Sequence, residues 1–201
     1  LQSYRAEGRM GGDAPVTRFN LLAARPAQLR LEFHHEDRTV IQAFDGASPP
    51  WQSITRPGAP AETGPMPAAE AAAFTADAIY DDPLVAGARL GYQITFAGEA
   101  KVADRTLLRV RVAASSSQVF VLLIDPGTHL IAARIDPSDP ASGVGGSIVT
   151  RYEDFRPVSG VRVAHEITIH VGGKAVRWAR LDRIEANPDL PADTFTSTAV
   201  P

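Results

Sequence analysis

The chain has 201 residues, 44% of them hydrophobic and 21% charged, with a formal net charge of -3 and no cysteine. That length suits one domain with a sizeable core, and the weak negative net charge gives no electrostatic reason to expect a nucleic-acid partner. Without cysteine there is no disulfide framework, no thiolate nucleophile and no sulfur-built zinc site. The longest apolar run, Val119–Ile124, falls far short of the ~20 residues that a membrane-spanning helix needs.

In chain order, period-two alternation predicts strands over Arg5–Met10 and Thr17–Ala23, with Gly11-Gly12-Asp13 supplying positive φ between them. Pro26 holds Arg25 extended at the entry to the next strand, where it is either an ordinary exposed strand-end arginine or one whose guanidinium projects from a sheet rim. That strand, Leu29-Arg30-Leu31-Glu32-Phe33, alternates apolar and charged residues, as one wet face requires. His34-His35-Glu36-Asp37 is the densest group of possible ligands. Adjacent strand residues point to opposite faces, however, so it reads as a polar turn rather than a metal site.

Val40–Phe44 is a further strand. Ser48–Met66 is dense in Pro and Gly and reads as an irregular loop crossing the surface. Pro67 to Phe74 is helical, with Pro at the first turn, Glu70 facing the dipole, and Phe74, Ile79 and Ala71 or Ala78 as its apolar stripe. Tyr92–Phe96 and Leu108–Val112 return to period two, and Ser115-Ser116-Ser117 reads as a polar turn. Val119–Ile124 has the length of a buried strand, and Asp125-Pro126-Gly127-Thr128 reverses the chain. Ile131–Ile135 precedes a polar loop over Asp136–Gly146, where Asp136, Ser138 and Asp139 lack the oxygen spacing of a calcium loop. Strands over Ile148–Phe155, Val161–Val171 and Val176–Ile184 complete the chain, with Gly172-Gly173-Lys174 turning between the last two. Val161, Val163, Ile167, Ile169 and Val171 share one face, on which His165 is the single polar member and is expected at a rim.

Roughly ten strands joined by short turns make an up-and-down meander, which must curl to hide its apolar face. The expected fold is therefore mainly β (α+β), a strongly curved antiparallel sheet with a short helix over its open side. No Gly-x-Ser-x-Gly, phosphate loop or dinucleotide fingerprint is present. Nothing supports catalysis.

The order of the signals carries a resemblance. It runs through Leu22-Ala23-Ala24-Arg25-Pro26, Phe44-Asp45-Gly46 with Trp51, the helix leading to Asp82-Pro83-Leu84, and Leu122-Leu123-Ile124-Asp125-Pro126-Gly127. Tyr152-Glu153-Asp154-Phe155-Arg156-Pro157 follows, then Asn187 and Phe195. This order resembles the LolA/LolB-like superfamily of outer-membrane lipoprotein-sorting proteins over nearly the whole chain. The resemblance implies one domain over residues 1–201, an incomplete β-barrel around a hydrophobic cavity for acyl chains, and no enzymatic activity, cofactor or metal. It places Arg25 near the cavity as a residue controlling ligand release, and Asp45, Gly46 and Trp51 in a turn and wall element. Two departures stand out: Asp45-Gly46 is set apart from Trp51 by Ala47-Ser48-Pro49-Pro50, and the chain opens on a strand where the family has a helix.

The expected lining is Leu31, Phe33, Phe44, Trp51 and Phe96, continued by Val110, Phe120, Leu122, Ile167 and Ile169. Each methylene kept from water is worth about 0.8 kcal/mol, so such a lining must match a membrane to accept a two-chain ligand. Expected partners are lipid or the acyl chains of lipoproteins, together with an envelope membrane protein, for a monomer in the periplasm. Because numbering starts at Leu1, a leader is expected to have preceded this sequence. The family's first helix either went with it or is lacking in this relative, and the protein is either free in the periplasm or tethered to the outer membrane by an N-terminal lipid. Two rival readings are an envelope scaffold or sensor with a filled core, and a lipid or glycan hydrolase using His165 or His34.

Overall fold

The computed structural model describes residues 1–114, 118–137 and 146–197. Among the described residues the protein is mostly β: thirteen strands form one open antiparallel sheet, accompanied by two short helices. Sequence neighbours pair except at β6 and β7, which are the two edges, and β1 pairs with β13, giving the order β6-β5-β4-β3-β2-β1-β13-β12-β11-β10-β9-β8-β7. The meander expected from period two is present, but its first and last strands meet in mid-sheet. The chain clusters into two compact units, one of Leu1–Tyr80, Pro157–Val163 and Arg180 onward, the other of Asp81–Arg156 and Ala164–Ala179.

The first unit contains β1 (Ser3–Gly12), β2 (Thr17–Ala24), β3 (Gln28–His34), β4 (Thr39–Phe44), β5 (Trp51–Thr55), β6 (Glu62–Pro65) and helix α1 (Ala68–Asp77). Register sorts its side chains. Tyr4 lies opposite Ala23, Ala23 opposite Leu29 and Leu29 opposite Phe44, so these four share a face. On that face α1 lays Phe74 and the following Ala78, with Met66 ahead of them, against Ala23, Leu29 and Phe44. Burying a Phe or Leu side chain is worth about 1.5–3 kcal/mol, which holds an Ala-rich helix too short to persist alone. Ala78 is the buried end of the stripe, while Ile79 stays 37% exposed. The other face carries Arg5, Leu22, Arg30, Ala43 and Trp51 in register. There Thr194 and Phe195 strap across: the Trp51 indole N–H donates to the Phe195 carbonyl at 3.1 Å, and Arg30 Nη1 donates to that of Thr194 at 3.2 Å. At the end of β13 (Lys174–Ala186), Asn187 accepts the backbone N–H of Gln2 and Ser3 on its Oδ1, tying last strand to first.

Ser48–Met66 corrects the expected irregular loop, because it contains the β5–β6 hairpin. Trp51, Ser53 and Thr55 continue the alternation against β4, and Pro65 is tolerated because β6 ends the sheet and needs no outward N–H.

The second unit contains helix α2 (Pro83–Leu90), β7 (Gln93–Val102), β8 (Arg105–Ala113), β9 (Val119–Ile124), β10 (Ile131–Asp136) and most of β11 (Ile148–Val158) and β12 (Val161–Val171). Helix α2 is built by its ends. Asp82 accepts the Leu84 N–H at 2.8 Å, Pro83 follows at the first position, and Gly91 closes with φ +74. The helix lies so close to β7 that a Cβ on Gly87 would come within 2.5 Å of Ile94 Cδ1. One sheet face gathers Val112, Phe120 and Leu122 with Leu84 of α2; the other gathers Leu107, Leu123 and Ala133. A bulge breaks the β7–β8 register between Phe96 and Glu99, where Gly98 takes φ +90. The expected turn at Ser115-Ser116-Ser117, and Ser138 and Asp139 of the expected polar loop, lie outside the described residues.

Candidate functional site

Arg25 occupies the turn between β2 and β3, its peptide bond to Pro26 cis and its backbone N–H donating to the Gln2 carbonyl at 2.9 Å. Its guanidinium is exposed and lies 5.9 Å from the centre of the Tyr80 ring, within range of a cation–π contact. Tyr80 meets Tyr4 edge to face at 5.1 Å and donates its hydroxyl to the same Gln2 carbonyl at 2.8 Å. Both tyrosines pack against the cluster under α1. Arg25 therefore stands at the rim of the helix-covered apolar cluster, on a mount of two aromatic rings.

Leu31 and Phe44 belong to that cluster, and Phe33 follows Leu31 on the same face, half-buried with its ring 6.5 Å from His35. Trp51 does not join them. It faces the opposite side of the sheet, under the strap of Thr194 and Phe195.

In the second unit Val110, Phe120 and Leu122 come together on the face shared with α2. Phe96 lies opposite Val110 on that face yet is 68% exposed, beside Ile94. On α2, Val85 is 85% exposed. Ile167 and Ile169 are half-buried on β12. Arg134 stacks 4.0 Å from the centre of the Phe120 ring and is itself held by Asp136 at 2.7 Å, putting a neutralised cation among the apolar residues. Sequence reasoning passed over Val85, Tyr80 and Arg134. The Asp82-Pro83 start and Gly91 stop could have revealed α2, and with it Val85; the tyrosine and arginine contacts are tertiary and leave no local signal.

His165 is not at a rim. It is buried, at 6% exposure, in the middle of an eleven-residue strand with neighbours on both sides. His34 Nε2 lies 3.4 Å from Glu32 and 3.1 Å from Asn20, and His35 Nδ1 lies 3.4 Å from Thr17 Oγ1. Among the described residues no group of three or more His, Cys, Asp or Glu side chains could hold a metal ion. A polar surface hollow of about 380 Å³ lies between the β3–β4 and β5–β6 turns, lined by His35, Arg38, Thr55 and Arg56, and includes none of the expected lining residues.

The fold is similar to those of several solved structures. A domain from Vibrio parahaemolyticus, described as an outer membrane lipoprotein-sorting protein, aligns with a TM-score of 0.64 at 9% identity, over 98% of this chain and 90% of that one. A LolA superfamily protein from Nitrosomonas europaea aligns at 0.63 and 12% identity, over 98% and 90%. The fold is LolA-like. A DUF1329 family protein from Desulfovibrio piger aligns as well, at 0.67 and 10% identity, over 100% and 92%. No family model and no curated protein matches the sequence. At such identities the likeness reaches the LolA-like fold alone, and the chemistry of the site rests on its own geometry. No described helix is long and apolar enough to cross a membrane.

Proposed function

We propose that this LolA-like chain, acting as one domain over residues 1–201, binds acyl chains without catalysis and carries lipid or lipoprotein in the bacterial periplasm. The observation that carries this reading is the exposure of Phe96, with Ile94 beside it, on the sheet face that α2 shares. Large apolar side chains gathered in the open mark a ligand or partner surface far more often than solitary ones do. An alkyl chain laid along Phe96 and Ile94 would run beside the half-buried Val110, over a core that holds Leu122 and Phe120. By itself, the first unit offers Leu31, Phe33 and Phe44 on one face, and in the second unit Ile167 and Ile169 are half-buried on β12. Apolar contact has little directional preference, so binding tolerates a range of chain lengths.

Arg25 has the rim position that a release residue needs: an exposed cation beside apolar surface, able to meet a headgroup or an acceptor. Periplasmic residence draws on the description of the Vibrio relative as an outer membrane lipoprotein-sorting protein domain; a lipid tether and an envelope membrane-protein partner are further parts of the same proposal.

Phe96→Asp tests the site with little cost in folding, because the side chain is exposed. Its affinity for a fluorescent fatty-acyl probe is expected to fall about tenfold or more, as loss of one aromatic contact implies. Val16→Asp, at an exposed valine in the first unit, is expected to bind as the parent does. Equal affinity in the Phe96 and Val16 variants would sink the assignment. Arg25→Leu is expected to keep probe affinity and slow delivery to acceptor vesicles.

A second reading, an envelope scaffold or sensor with a filled core, draws on one observation: Phe74, Met66 and Ala78 already fill the cluster under α1. Native mass spectrometry separates the two, since copurified lipid favours the carrier and a bare polypeptide mass favours the scaffold.

A further inference from the structure

The face of the second unit turned away from α2 has a different composition. In register across four strands, Arg109 lies opposite Leu123, Leu123 opposite Ala133, and Ala133 opposite Arg151. The neighbouring row runs Arg111, Val121, Ile135, Val149. All three arginines are exposed, and Val121, Ile135 and Val149 between them are only half-buried. Strand spacing puts Arg109 and Arg151 about 14 Å apart, with Arg111 about 7 Å along the strand from Arg109.

Elsewhere in the unit Arg89, Arg105, Arg134 and Arg156 each hold a carboxylate, of Asp81, Asp125, Asp136 and Asp154 respectively. Among the described residues Arg109, Arg111 and Arg151 make no ion pair, even though Glu153 stands two residues beyond Arg151 on the same strand. Three open guanidiniums set around aliphatic side chains suit a broad anionic surface better than a single phosphate, on which they would have to converge. The half-buried aliphatic side chains between them also suit a bilayer, whose interfacial layer takes up apolar groups, better than an acidic protein.

We propose that this face docks the protein on a membrane of anionic phospholipid. The guanidiniums would engage headgroup phosphates, and Val121, Ile135 and Val149 would meet the interfacial layer. The docking is independent of acyl-chain binding, because it uses the sheet face opposite to that of Phe96.

The test is co-sedimentation with vesicles of phosphatidylglycerol mixed into phosphatidylcholine, compared with phosphatidylcholine alone. The parent protein is expected to bind the anionic vesicles, release them in high salt and ignore neutral ones. At about 1 kcal/mol per arginine near such a surface, the combined Arg109→Gln, Arg111→Gln and Arg151→Gln variant should bind about a hundredfold more weakly. The corresponding triple lysine variant should bind nearly as the parent does, which guards against a folding defect in the glutamine variant. Acyl-probe affinity should be unchanged in both, so failure of docking and failure of the carrier reading stay distinct. Undiminished binding by the glutamine variant, equal binding to neutral vesicles, or retention on an acidic polypeptide but not on vesicles would each overturn the proposal.

Discussion

Tyr4 meets Tyr80 beneath Arg25, and its phenol is pushed up to about 12, first by burial and then by the neighbouring Tyr80. The folded state therefore grips this proton more tightly than the unfolded chain does, whose phenol ionises at the ordinary value of 10.0. The associated stability is complete below that ordinary value and drains away as the pH climbs to about 12. Tyr4→Phe should remove this share of the alkaline unfolding, measured as the pH dependence of a denaturation midpoint alongside tyrosinate absorbance. Asp125 runs the other way. The Arg105 guanidinium and the backbone N–H groups of Thr128 and Gly127 hold its carboxyl down at about 2, and that turn loosens only as acid reaches this range. Gly8 is a steric position: a Cβ there would collide with the Arg180 carbonyl and come within 2.9 Å of Phe19 Cζ. Gly8→Ala should cost about 1–3 kcal/mol in chemical denaturation, the usual toll of overpacking; a neutral result would show that β1 and β13 part easily.

Both helices are short, but different forces hold them. Burial of Phe74 fixes α1, which has no side-chain cap, whereas Asp82 and Gly91 frame α2. Phe74→Ala should thus cost about 3–5 kcal/mol, and Asp82→Ala about 1 kcal/mol, in the same denaturation series. Comparable losses would mean that burial does not pin α1. The elements that follow period two were legible: β9 and β12 have the bounds that their patterns imply, and the other patterned strands differ mainly at their ends. The β5–β6 hairpin was not, because Pro and Gly on either side obscure a five-residue alternation beginning at Trp51. Alternation also says which residues of one strand share a face, but not which face receives a helix. That is why Trp51 was grouped with Phe44, although register sends them to opposite sides. Pro26 marks Arg25 as a strand-entry residue, whereas its seat on Tyr80 depends on a residue far along the chain and leaves no local signal.

Over the whole molecule, strand order makes the last strand synthesised a neighbour of the first. Until β13 arrives, β1 and β12 each present an unpaired edge, and such contacts, remote in sequence, form slowly. Deleting everything from Lys174 onward should yield aggregates rather than a smaller folded protein; a soluble fragment with cooperative unfolding would show that the rest of the sheet does not depend on that closure. The finished sheet keeps two edges of its own, β6 and β7. The first is only four residues long and ends in Pro65. The second is ten residues long, but the bulge at Gly98 splits its ladder into two short registers and twists the rim. A second copy seeking to zip onto β7 finds no continuous run of matched donors and acceptors. The protein can thus leave Phe96 bare beside an open edge and still resist stacking into fibrils.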